Sequence, residues 1–172
     1  MTTLDAEDIV EEVEESGTTF EENASLKARH YARISGLLTL ADDSGLEVDA
    51  LNGEPGVRSA RYAGEGASDR DLVAVILDRM KGVPQKKRTA RFRCVIAVAW
   101  PSGRVELVEG VREGVISTEL RGENGFGYDP VFYLPERGKT MAELTPAEKN
   151  RLSHRAEAAR KASGLLHSLA KA

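Results

Sequence analysis

The chain has little of several things, and each shortage excludes something. Among its 172 residues there is one cysteine, Cys94. A single thiol rules out a disulfide framework and a cysteine-rich metal centre. The three histidines (His30, His154, His167) do not cluster with Cys94 at zinc-ligand spacing. No apolar run approaches the roughly 20 residues of a membrane-spanning helix. The polar, acidic N-terminus is unlike a secretory signal. The cytoplasm is therefore the expected compartment. Basic residues do not dominate: 24 Lys and Arg face 28 Asp and Glu, a net charge of −4. Such a chain is a poor binder of duplex nucleic acid, whose affinity rests on neutralising phosphates. A local basic pocket for a small polyanion remains open. Neither G-x-G-x-x-G, G-x-x-x-x-G-K-[ST] nor G-x-S-x-G occurs, so no dinucleotide fingerprint, P-loop or hydrolase elbow is present.

What is there reads as one globular domain over residues 1–172, with enough chain to bury a core. Residues 5–15 are acidic and form a fraying terminus or a short element. Thr19 to Glu22 matches a capping box, and Ala24, Ala28, Tyr31 and Ala32 recur at helical spacing, predicting a helix over 20–35. Leu37 to Ala41 reads as a short buried strand, Asp42 to Gly45 as a turn, and Leu46 to Ala50 as a second strand. Ser68 caps a second helix that ends at Gly82 and Pro84. Residues 89–100 and 105–116 read as an antiparallel hairpin, and 131–134 as a short strand. Lys86-Lys87-Arg88 reads as a solvated basic loop. Thr145-Pro-Ala-Glu148 is another helix start, and a last helix covers about 153–169. The expected class is α/β, with a mixed twisted sheet flanked by helices.

Few residues suggest chemistry on local grounds. Asp42 and Asp43 follow a buried strand; they fit a metal ligand or a base for water, or an Asp-Ser-Gly turn. Glu15 closes an acidic run that fits a solvated face equally well. Lys27 suits a phosphate contact or an exposed helix position. In 121–130, Phe126 and Tyr128 stand between glycines before Asp129, which offers a stacking face for a base or a plain loop. Lys149, His154 and Arg155 surround the start of the last helix. Cations there oppose the helix dipole, which fits a ligand role; an exposed loop is the alternative.

Together these blocks resemble the inosine/xanthosine triphosphate pyrophosphatases. The resemblance lies in Ser16–Ala24 with Lys27, Ala41–Leu46, Pro55-Gly-Val, Ser59–Gly64, Gly125–Pro130, Lys139–Leu144 and Glu148–Arg155, in that order. It implies that fold and an Mg²⁺-dependent hydrolysis of non-standard purine nucleoside triphosphates (ITP, dITP, XTP) to monophosphate and pyrophosphate. It further implies a homodimer with no nucleic-acid or membrane partner. Asp43 would be the general base, and Glu15 and Asp43 would hold the metal. Lys27 would contact phosphate, with Ser44 lining the same site. Phe126 would stack on the base, Gly127, Tyr128 and Asp129 would shape its pocket, and Lys149, His154 and Arg155 would reach the purine edge. The family's opening strand and Thr/Ser-x-Asn-x-x-Lys phosphate loop are not found in residues 1–15. The expectation is a chain about one βα unit short, with an exposed sheet edge. An alternative follows from that: a nucleotide-binding remnant with impaired catalysis.

Overall fold

The computed structural model describes residues 2–169. Three helices begin as their sequences dictate. In α1 (Phe20–Ser35), α2 (Asp69–Arg79) and α3 (Pro146–Leu152), the side chains of Thr19, Ser68 and Thr145 accept from the N3 backbone. Glu22, Asp71 and Glu148 reach back in reciprocal capping boxes. Gly36 ends α1 in the left-handed conformation (φ 68°). Ser153 is extended and interrupts the C-terminal helical region, so α4 (His154–Leu169) is a separate helix.

Five strands form one sheet in sequential order: β1 (Thr39–Val48), β2 (Thr89–Ala99), β3 (Val105–Ile116), β4 (Phe132–Leu134) and β5 (Lys139–Thr140). The α/β class is as expected, but the sheet is not mixed. Every ladder among the described residues is antiparallel. Each strand pairs with its sequence neighbour, and such neighbours need no helical crossover. On its other side β1 forms no ladder among the described residues, only an isolated Glu47–Pro55 bridge.

The expected turn at Asp42 to Gly45 is also corrected. These residues lie inside β1, paired in register with Ile96, Val95, Cys94 and Arg93. Ten consecutive pairings with β2 outweigh a local turn preference. Gly45 is required there for space: a Cβ would stand 2.6 Å from the Gly56 carbonyl oxygen. Because side chains alternate along a strand, Asp43 and Asp42 face opposite sides of the sheet.

Each side has its own core. Beneath α1 lie Phe20, Ala24, Ala28 and Ala32 against Val95, Ala97 and Ala99. The small residues let the helix sit close to the strands. On the other face α2 contributes Leu72, Val73 and Ile76 to a core with Leu46, Phe92 and Phe132. Alongside it α4 packs over β2 and β3. The basic run at 86–88 is only partly solvated. Arg88 is 4% exposed, and its guanidinium donates to the carbonyls of Met80, Val83, Ile116 and Ser117. It ties the end of α2 to β3, a structural duty for a charge that would otherwise be costly to bury.

Candidate functional site

On the α1 side of β1 three charged groups converge. Lys27 Nζ lies 2.6 Å from Glu15 Oε1 and 3.9 Å from Asp43 Oδ1. Asp43 is 8% exposed. Its Oδ2 accepts from Asn23 Nδ2 at 3.0 Å, and its Oδ1 from the Ser44 backbone N–H at 3.0 Å. Burial raises the Asp43 carboxyl above the usual range, against the opposing pull of Asn23 and Lys27. A carboxylate shifted that way holds a proton more readily, as a base for water must. Asn23 had no role assigned from sequence. It is fully buried, and its Oδ1 accepts from the Gly17 N–H at 2.8 Å. One amide therefore fastens the Glu15 segment to the Asp43 strand. Only the fold reveals this, because Asn23 sits in a helix whose pattern already accounts for it.

On the opposite side of the same strand lies a cleft of about 540 Å³, lined by Ser44, Phe92, Phe126, Lys149, His154 and Arg155 among others. Phe126 is 57% exposed at its mouth. Gly127, in the left-handed conformation (φ 58°), turns the chain directly after it. Asp129 pins the loop: it is buried, accepts from the Phe126 N–H at 2.9 Å and pairs with Lys149. Lys149 Nζ stands 4.4 Å and Arg155 Cζ 5.4 Å from the Phe126 ring centroid. Two cations and one aromatic thus share a single face of the cleft. Tyr128 is a wall: it is buried and donates to the Ser59 carbonyl at 2.7 Å, and burial pushes its phenol up.

Ser44 was expected in the same site as Lys27, and the structure places it elsewhere. Its Oγ accepts from Arg155 Nη2 at 2.8 Å on the cleft side. The reason is strand alternation, which sends it opposite to Asp43. His154 lies deeper than an edge-reading residue on a loop would. It is 8% exposed and stacks on Phe92 at 4.9 Å between ring centroids. Its Nδ1 has no hydrogen-bond partner among the described residues. Burial, with Arg155, Lys149 and Arg112 adding positive potential, lowers its pKa to about 3.

That depression predicts a pH dependence of stability. Between about pH 6.5 and 3 the unfolded chain takes up a proton at His154 that the folded chain refuses. Stability therefore falls as the pH drops below about 6.5, by roughly 1.4 kcal/mol per pH unit for one such group. Denaturant unfolding at pH 6.5 and 5.0 should show this slope in the wild-type chain and a flatter one in His154→Gln. Equal slopes would remove His154 as the cause.

Glu15 and Asp43 contribute carboxylate oxygens to this cluster, on either side of Lys27. Among the described residues no group of three or more His, Cys, Asp and Glu is arranged to hold a metal. Carboxylate oxygens are the donor type Mg²⁺ takes, and that ion keeps several waters and draws further ligands from substrate phosphates. The residues fit that ion. No helix among the described residues is long and apolar enough to cross a membrane.

The chain is 58% identical over 158 residues to the dITP/XTP pyrophosphatase of Desulforamulus reducens, covering 92% of this chain and 79% of that protein. With the dITP/XTP pyrophosphatase of Bacillus subtilis the identity is 53% over 156 residues, covering 91% and 79%. The structure of a HAM1 protein from Coxiella burnetii superposes with a TM-score of 0.88 at 47% identity, covering 92% of this chain and 82% of that one. The Ham1 family profile matches residues 1–164, and the chain belongs to the Ham1 family.

Proposed function

We propose that this chain hydrolyses non-standard purine nucleoside triphosphates, ITP, dITP and XTP, to the monophosphate and pyrophosphate. The observation that carries the reading is the pair of half-sites back to back on β1. The Glu15–Lys27–Asp43 cluster lies on one side, and a cleft with an aromatic and two cations lies on the other. A nucleotide needs both kinds of surface. Stacking on a ring such as Phe126 is worth roughly 1–3 kcal/mol per base.

The chemistry follows from the residues. Asp43 takes a proton from water as its oxygen attacks the α-phosphorus, and pyrophosphate leaves. Lys27 offsets negative charge on the phosphates. Glu15 and Asp43 would hold Mg²⁺, which would supply polarisation of the triphosphate and offset negative charge in the transition state. Lys149 and Arg155 are donors only. They complement the acceptor oxygen at C6 of hypoxanthine or xanthine and oppose the amino group of adenine. The same reading makes the protein a cytoplasmic homodimer, for which sedimentation should report twice the chain mass.

The test is pyrophosphate release with Mg²⁺ from ITP, dITP and XTP against GTP and ATP. A site with directed polar groups should favour the first three over ATP in kcat/KM by roughly 10²-fold or more. Equal rates, or nucleotide binding without release, from a folded sample would overturn the reading.

A further inference from the structure

Asp42 is used neither by the water-activating cluster nor by the base-stacking loop as described above. Alternation along β1 turns it away from Lys27 and Asp43 and toward α4. Its Oδ2 lies 3.6 Å from Arg155 Nε. Ser44, two residues along on the same face, accepts from Arg155 Nη2 at 2.8 Å, and its Oγ is 3.5 Å from Asp42 Oδ2. One strand thus grips one guanidinium at two points. The remaining neighbours of Asp42 are apolar or weakly polar: Leu40, Ile96, Cys94 and Ala159 line the hollow it shares with Arg155. Arg155 is the second residue of α4, where a cation opposes the helix dipole. Neither charge is placed where its own element is best stabilised, and each answers the other.

A half-exposed arginine left alone samples many rotamers, and its planar fork is useful only when held. We infer that Asp42 is a specificity-determining positioning residue, which with Ser44 holds the Arg155 guanidinium against Phe126 for pairing with a purine keto oxygen. The inference rests on the proposed activity. Adjacent carboxylates then divide the work by strand alternation: Asp43 serves water and phosphate on one side, and Asp42 serves base selection on the other. Asp42 touches no reacting atom and acts through Arg155.

The experiment is a double-mutant cycle of Asp42→Asn and Arg155→Ala, with kcat and KM measured for ITP and ATP at saturating Mg²⁺. Melting temperature serves as the fold control. Asp42→Asn should raise KM for ITP and lower the ITP:ATP ratio of kcat/KM by about tenfold, a size typical of one misplaced pocket contact. The value of kcat should stay within about twofold of wild type. In the Arg155→Ala background Asp42→Asn should change nothing further, since residues that act as a unit are not additive. Ser44→Ala should shift selectivity in the same direction. A fall in kcat with selectivity intact would assign Asp42 to the metal and water side and overturn the inference. Additive effects in the cycle, or no effect, would overturn it as well. The parent reading fails differently: the wild-type chain itself would then show no preference for ITP.

Discussion

Replacing Asp43 by Asn should lower pyrophosphate release from ITP by about 10³-fold while the protein stays folded. General-base catalysis contributes roughly 10²–10⁴ to a hydrolytic rate, and the amide keeps the shape of the carboxylate without its basicity. The replacement's oxygen can still accept from either Asn23 Nδ2 or the Ser44 N–H, the two donors that now share the carboxylate. The other donor loses its partner, but the cost of burying the charge disappears. Because burial already disfavours the ionised form of Asp43, these effects offset one another. The stability change should be within about 1 kcal/mol. Lys27 retains Glu15 at 2.6 Å, so the ammonium is not stranded. Release assays and thermal melts on the same preparation decide the matter. Full activity would exclude Asp43 as the base. Loss of activity with loss of fold would give Asp43 a structural role instead.

The largest stability effect should come from a residue with no side chain. Gly110→Ala in β3 is expected to destabilise the fold by about 2–4 kcal/mol through overpacking, lowering the melting temperature by roughly 5–15 °C. A Cβ at Gly110 would stand 2.5 Å from the Ala158 backbone N and closer still to the His154 carbonyl oxygen. Both are backbone atoms of α4 and cannot rotate away, so the helix itself must move. Its first residues are His154 and Arg155, and the cleft should open with it: KM for ITP should rise even in the fraction that stays folded. Gly164→Ala provides the contrast. That glycine lies within α4 with nothing within 4 Å of an added Cβ. Removing a helix-interior glycine there should stabilise the protein by up to about 1 kcal/mol. Denaturant curves of the two variants should move in opposite directions. If Gly110→Ala melts like the wild type, β3 and α4 are not in close apposition.

Much of this arrangement is legible in the chain. Each helix start is a local matter: Thr19 with Glu22, Ser68 with Asp71 and Thr145 with Glu148 satisfy backbone groups within four residues. The β2–β3 hairpin is legible for the same reason, since its strands are neighbours joined by a short turn. Local chemistry misleads at Asp42 to Gly45, where turn-forming residues extend as a strand because a partner 50 residues away pairs with all of them. Arg88 misleads as well, since the carbonyls that hold it come from α2, the loop after it and the end of β3.

The residue types of the candidate site are set by the sequence alone: two adjacent carboxylates, a lysine about two turns into a capped helix, a glycine-framed aromatic and a histidine-arginine pair at a helix start. So are the capped helix starts, and so is the shortage of thiols and of cations that excludes other chemistries. Tertiary structure decided which of these residues meet. Strand pairing made β1 continuous, and the twofold alternation of a continuous strand put Asp43 with Asn23 and Lys27, and Asp42 and Ser44 with Arg155. Packing buried His154 against Phe92 and so lowered its pKa. Contacts of this kind depend on the register of distant segments, and register is set by how the whole sheet and its two helical layers pack rather than by any local run of residues.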